Sequence, residues 1–199
     1  MAVTASTAEK TVTLIRESAS LFRRYGFHAT SMGDLGAAMN LNKGTLYHYF
    51  PSKGEILFAI YAQVFSTLEA NVARIDQRLR ADEKLVAYIR AITKTRATVP
   101  DFVAVYFQEH PWLDSSLSAE HCAVVREKEK QWTAGLRTIF EDGMRDGLFR
   151  RVNTEVLAIQ LISMFSSLYQ WHIGEDEVSA NLVADTIISY LFEGINKPS

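Results

Sequence analysis

Apolar positions recur at helical spacing along almost the whole chain, and no stretch alternates long enough to predict a strand. A first helix is expected over residues 8–25, with Ile15, Ala19 and Phe22 on one face and Gly26 as its left-handed stop. Thr30 or Ser31 then caps a short second helix whose Met32, Leu35 and Met39 share a face. Asn40 stands where a tight turn needs a residue tolerant of positive φ. A third helix is expected from about residue 42 to 50, ended by Pro51. Ser52 and Glu55 have capping-box spacing and open a long fourth helix reaching toward residue 80. Further helices are expected over 82–99, shortly after Pro100, over 119–146, from the cap Asn153 to about 172, and over 175–194. Residues 110–118 read as a loop. The pattern predicts an all-α protein of about nine helices. A three-helix unit with a helix-turn-helix occupies residues 1–52, and a larger helical bundle occupies 53–199, with a hinge near 51–55.

Two of the later helices carry more apolar surface than one neighbour can cover. The helix ending near 172 has Val156, Leu157, Ile159, Leu161, Ile162, Met164, Phe165, Leu168 and Trp171, and is apolar nearly all round. The last helix repeats the theme with Val178, Leu182, Val183, Ile187, Tyr190 and Leu191. Faces this wide exceed what a monomeric core needs. They predict a homodimer joined through the last two helices of each subunit.

Composition narrows the function classes. With 48% hydrophobic and 22% charged residues, the 199-residue chain can bury a proper core. A net charge of −2 excludes a uniformly basic nucleic-acid protein. The balance is uneven, however: through Glu55, six lysines and arginines face four acidic residues. The phosphate-tolerant end is therefore the N-terminus. Cys122 is the only cysteine, so neither an intrachain disulfide nor a cysteine metal cluster can form. The first residues lack a signal-peptide core, and no apolar run is long enough to span a membrane. A cytoplasmic protein without membrane, metal or cofactor is expected. Glu109, His110 and Cys122 could be imagined as a catalytic group. No nucleophile motif, metal-ligand spacing or glycine-rich phosphate loop frames them, which argues against an enzyme.

The segment 30–50 has the spacing of a helix-turn-helix, whose second helix enters the major groove of DNA. At about 100° per residue, Leu46 and Phe50 lie within roughly 40° of each other and face the core. Gly44, Thr45 and His48 point the opposite way, Tyr47 and Tyr49 lie on the flanks, and Lys43 can extend its stem outward from the first turn. Gly44 lets the helix approach a duplex, and Thr45 can meet a base edge or a thymine methyl group. Tyr47, His48 and Tyr49 offer polar tips to phosphates. The hydroxyls of Thr30 and Ser31, at the start of the second helix, and Lys53, at the start of the fourth, are placed for the same task. A helical protein–protein adaptor would leave this outward set unexplained.

The run Leu41-Asn42-Lys43-Gly44-Thr45-Leu46-Tyr47-His48-Tyr49-Phe50-Pro51-Ser52-Lys53-Gly54-Glu55-Ile56-Leu57 closely resembles the signature of the TetR family of bacterial repressors. The upstream Tyr25-Gly26-Phe27-His28-Ala29-Thr30-Ser31 is similar to the family's passage from first to second helix. The resemblance implies an Ω-shaped homodimer that binds a roughly palindromic operator and leaves it when an effector binds. It also implies that Ser31, Lys43, Thr45, Tyr47, His48, Tyr49 and Lys53 occupy DNA-contacting positions. Asn42 departs from the usual serine but caps a helix equally well. Gly54 replaces an acidic residue, and Gly33 and Gly36 each cost the second helix up to ~1 kcal/mol relative to alanine.

An effector site is expected among a surplus of aromatic residues, with Tyr61, Phe65, Tyr88, Tyr106, Phe107, Glu109, Trp132, Tyr169 and Trp171 as candidates. The segments Val105-Tyr106-Phe107-Gln108-Glu109, Arg126-Glu127-Lys128 and Gly143-Met144-Arg145-Asp146-Gly147-Leu148-Phe149-Arg150 resemble TetR repressors of fatty-acid and steroid degradation. That resemblance implies a small hydrophobic effector of the acyl-CoA class. Arg90, Lys94, Arg126 or Lys130 would then be available to the CoA phosphates.

Overall fold

A computed structural model describes the backbone of residues 2–171 and 175–195, and the side chains of 7–169 and 175–194. The described chain is helical: α1 (Ala2–Tyr25), α2 (Met32–Ala38), α3 (Lys43–Tyr49), α4 (Lys53–Val72), α5 (Ala81–Thr98), α6 (Pro100–Glu109), α7 (Leu113–Ser116), α8 (Ala119–Arg145), α9 (Thr154–Ser167) and α10 (Glu177–Ile195). Short 3-10 turns occupy His110–Trp112 and Leu168–Trp171. The nine expected helices are present, and α7 adds a single turn inside the expected loop. Its reason is apolar: Leu113 and Leu117, four residues apart, are both buried. None of the helices among the described residues is long and apolar enough to cross a membrane.

Local stops fall where backbone chemistry requires them. Gly26 and Gly147 have φ of 85° and 75°, and Asn40 has φ of 53°. The fourth helix ends at Val72, well short of residue 80. Asp76 accounts for the break, because its carboxylate accepts the backbone N–H of Arg78 at 2.9 Å and its carbonyl accepts that of Leu79 at 3.3 Å. This turn competes with helical hydrogen bonding. The Arg78 guanidinium also donates to Asp76 and holds its carboxyl below the usual carboxylate range.

The chain divides into two compact units. The first comprises residues 1–64 and 101–124, so it adds α6, α7 and the first part of α8 to the helix-turn-helix. Its interior includes Phe22, Leu35, Leu46, Ile56, Leu57, Ile60 and Tyr61. An ion pair of 2.8 Å between Arg23 and Asp101 joins α1 to α6. The second unit comprises residues 65–100 and 125–199. Leu85, Tyr88, Ile89, Leu136, Phe140, Phe149, Leu161, Phe165 and Ile187 form its core, with α5 packed along α10.

Glycine is required at the end of α8. The carbonyl of Gly143 accepts the N–H groups of Leu148 and Phe149 at 2.8 and 3.0 Å, folding the chain back on itself. A Cβ at Gly143 would overlap the ring of Phe149, which is itself fully buried. Gly143→Ala is therefore expected to lower the unfolding free energy by about 1–3 kcal/mol, the range for forcing a methyl into a packed core. Urea denaturation monitored by circular dichroism checks this, and an unchanged midpoint would show that the ring moves freely aside.

Candidate nucleic-acid interface

The candidate interface is built on α2 and α3, each only seven residues long. Helices this short are marginal in water, so their ends must be secured by side chains. Ser31 caps α2 and forms a capping box with Asp34. The Ser31 hydroxyl accepts the Asp34 N–H at 3.1 Å, and the Asp34 carboxylate accepts the Ser31 N–H at 2.8 Å. The Ser31 hydroxyl also donates to that carboxylate at 2.6 Å, and these bonds hold the Asp34 carboxyl below its ordinary pKa. Asn42 caps α3, its Oδ1 accepting both the N–H and the hydroxyl of Thr45, at 2.8 and 2.9 Å. The turn between the helices is tight: the Leu41 N–H donates to Gly36 O at 2.8 Å, and a Cβ on Gly36 would come within 2.9 Å of the Leu41 carbonyl. Gly36 thus permits the close approach of the turn to α2.

Leu46 and Phe50 are buried beneath α3, as their angular positions predicted. Lys43, Gly44, Tyr47 and His48 are exposed, whereas Thr45 and Tyr49 are half-buried. The Lys43 ammonium lies 5.8 Å from the centre of the Tyr47 ring, and the rings of His48 and Tyr49 meet edge to face at 6.0 Å. The arrangement therefore presents a cation, an imidazole and phenol rings together on a short helix. Those are the groups that meet phosphates and base edges in a major groove.

Three sequence expectations need correction. Thr30 is only 4% exposed and donates its hydroxyl to Gly26 O at 2.8 Å, so Ser31 alone caps α2. The Lys53 ammonium donates to the carbonyls of Phe27, Thr30 and His28 at 2.6, 2.8 and 3.4 Å. Burial lowers its pKa, against the raising influence of the Glu109 charge. Glu109, expected beside an effector, is buried at the end of α6, where it accepts the Phe27 N–H at 3.4 Å and lies 3.6 Å from His28 Nε2. Each of these polar groups satisfies the backbone near it instead of facing outward.

The aromatic candidates separate between the two units. In the first, Tyr61 is fully buried and donates its hydroxyl to Tyr106 O at 3.0 Å, and Tyr106 meets Phe107 edge to face. In the second, Phe65 meets Trp132 edge to face at 4.9 Å. Tyr88 lies in the core with its phenol pKa pushed up to about 12 by burial, and Tyr169 is half-buried. The side chain of Trp171 lies outside the described residues. A groove of about 420 Å³ lies elsewhere, against Arg150, Leu157, Gln160, Met164, Tyr190 and Glu193 on the α9 and α10 side.

The all-helical fold and the capped helix-turn-helix define a DNA-binding regulator. A model of the bacterial regulatory proteins of the tetR family matches residues 14–60, and one of the tetracyclin repressor-like C-terminal domain matches 78–195, more than half of the chain. The chain belongs to the TetR family. YhgD, an uncharacterized HTH-type transcriptional regulator of Bacillus subtilis (strain 168), is 22% identical over 186 residues, 92% of this chain and 95% of its own. The structure of the ketosteroid transcriptional regulator KstR2 of Mycobacterium tuberculosis is similar with a TM-score of 0.85 at 20% identity, covering 95% of this chain and 96% of that one. AibR in complex with isovaleryl coenzyme A and operator DNA is similar with a TM-score of 0.80 at 24% identity, covering 92% and 97%. Regulators of the TetR family are ligand-responsive, DNA-binding repressors that act as dimers, and they are not enzymes.

The Asn42 cap gives the interface a measurable dependence. Asn42→Ala removes the acceptor for the first turn of α3 and is expected to cost about 0.5–2 kcal/mol, the range for loss of a helix cap. Denaturant unfolding measures it. Asn42→Ser, which keeps an acceptor at the same place, is expected to recover most of the loss.

Proposed function

We propose that this protein is a dimeric transcriptional repressor that reads a palindromic operator through α3 and is released by a small hydrophobic effector of the acyl-CoA class. The exposed face of α3 carries the DNA-reading half of the proposal. Lys43, Tyr47, His48 and Tyr49 supply polar and cationic groups, and the hydroxyls of Ser31 and Thr45 add donors that can exchange their internal bonds for phosphate contacts. Gly44 supports the same reading. A Cβ there would meet nothing closer than Asn42 Oδ1 at 3.4 Å, so internal packing does not demand glycine. Close approach of a duplex does.

The dimer half rests on apolar surface. Val156 and Ile159 on α9, and Val178, Leu182 and Tyr190 on α10, are each at least half exposed, Val178 at 81%. Five large apolar side chains on two adjacent C-terminal helices favour a covered face, and a second copy brings the same two helices to it. Leu182→Glu is expected to convert the dimer to a folded monomer, read by sedimentation velocity. A persistent dimer would place the interface elsewhere.

The effector half draws on the relatives: AibR was crystallised with isovaleryl coenzyme A, and KstR2 is a ketosteroid regulator. An acyl chain suits an apolar lining of aromatic rings, of the kind Phe65 and Trp132 supply where they meet within the second unit. The ligand acts by binding the DNA-incompetent state more tightly, and linkage then obliges DNA to weaken the ligand by the same factor. Titration of short-, medium- and long-chain acyl-CoAs with and without operator duplex tests this. At least one thioester is expected to raise the melting temperature and to bind more weakly in the presence of operator. Stabilisation by steroids or cationic drugs alone would replace the acyl-CoA assignment and leave the repressor intact.

A further inference from the structure

Lysine is an unfavourable choice for the first residue of α4. A helix N-terminus carries partial positive charge, so a cation there gains nothing from its own helix. The Lys53 side chain leaves α4 and serves the end of another helix. After α1 stops at Tyr25, Gly26 turns the chain with positive φ, and the connector runs from Phe27 to Ser31, the cap of α2. The Lys53 ammonium meets three carbonyls of this connector, and it lies 4.3 Å from the centre of the Phe27 ring. An ammonium has three N–H donors and no acceptor, so these carbonyls use its full capacity. On the other side of the connector, the buried Glu109 carboxylate at the end of α6 accepts the Phe27 N–H. Phe27 therefore has its N–H held from α6 and its C=O held from α4. It is also wedged edge to face against Phe22 of α1, with ring centres 5.1 Å apart.

We infer that Lys53 and Glu109 are positioning residues for operator binding: together they clamp the connector between α1 and α2, and they set the orientation of the reading helix without touching DNA. The inference rests on the operator-binding reading of α3 and adds to it the means by which α4 and α6 hold the head. The connector is too short to form helix or sheet of its own; the Phe27 carbonyl also accepts the Thr30 N–H, but at 3.3 Å, so Lys53 supplies the close, charged partner of both the Phe27 and the Thr30 carbonyls. With Lys53 removed, both carbonyls lose their charge-assisted hydrogen bond, and Ser31 and the whole of α2 start from a less firmly held point.

A phosphate contact and a positioning contact differ in their salt dependence. Each phosphate neutralised by a side chain adds close to one to the slope of log affinity against log salt, whereas a main-chain clamp adds nothing. The probe is a duplex selected by the native protein from a randomised library, titrated across a salt series at a temperature where each variant is folded by circular dichroism. Lys53→Met is expected to weaken binding roughly ten- to a hundred-fold, as for a lost charge-assisted hydrogen bond, with the slope unchanged. Lys53→Arg keeps the charge but replaces a compact ammonium with a planar fork, and is expected to weaken binding as well. Glu109→Gln, on α6, keeps an acceptor for the Phe27 N–H but removes the charge that strengthens that bond and faces the Lys53 ammonium, and is expected to weaken binding at unchanged slope. Its combination with Lys53→Met is expected to be less than additive, because both act on one connector.

Lys43→Met is the comparator and is expected to reduce the slope by about one. A slope lowered by about one in Lys53→Met, together with native affinity in Lys53→Arg, would overturn the inference and make Lys53 a phosphate contact. Native affinity in Glu109→Gln, or strict additivity with Lys53→Met, would also overturn the clamp. Were Lys53→Met unable to fold, Lys53→Arg and Glu109→Gln carry the same test. An unchanged slope in Lys43→Met alone would sink the reading of α3 while leaving the Lys53 and Glu109 results to be judged by themselves.

Discussion

A reading helix of seven residues cannot hold its own shape in water, and this constraint governs the N-terminal unit. Nucleating a helix orders several residues before hydrogen bonds compensate, so a two-turn helix must borrow order from its neighbours. The borrowed order comes in three forms. Leu46 anchors α3 in the core, Asn42 satisfies its first amides, and the tight turn at Gly36 and Leu41 fixes its distance from α2. The same economy explains why residues typed for DNA contact do internal work in the free protein. The Ser31 and Thr45 hydroxyls donate to Asp34 and Asn42, so the surface is kept ordered by bonds that a duplex can replace.

Two cations at the edges of helices show a second constraint, the cost of an unsatisfied carbonyl. Lys53 serves the carbonyls that follow α1, and in the second unit the buried Arg96 donates to Leu168 O at 2.9 Å, where α9 gives way to a 3-10 turn. The Glu175 carboxylate lies 3.4 Å from the same guanidinium nitrogen. In each unit a long basic side chain from one helix is spent on the C-terminal end of another. A helix C-terminus carries partial negative charge, so the cation meets the dipole favourably there. Half-buried Asn71 and buried Thr95 add a further interhelical hydrogen bond of 2.9 Å between α4 and α5. These polar contacts specify how the helices meet, and apolar burial by itself would leave that choice open.

The aromatic residues illustrate how a composition signal divides in three dimensions. A surplus of rings in the sequence pointed to one apolar site, yet Tyr61 and Tyr106 belong to one compact unit and Phe65, Tyr88 and Trp132 to the other. Tyr88 is committed to the core among Leu85, Ile89 and Phe165. By contrast, the excess apolar surface of α9 and α10 was legible from periodicity. Val156, Ile159, Val178, Leu182 and Tyr190 stay exposed because one chain has no more helices to place against them.

What the sequence by itself determined was local. Helical periodicity placed nearly every helix, Gly26 marked the left-handed stop of the first, Asn40 took its positive φ, and Asn42 and Asn153 capped the helices that follow them. These features depend on residues within a turn or two of one another, so they can be read along the chain. Only the tertiary structure decided the destinations of long polar side chains. Lys53 reaches a carbonyl 26 positions earlier, and Glu109 an amide 82 positions earlier. A flexible side chain has many possible partners, and which one it meets is settled by packing between distant segments, where sequence spacing carries no information.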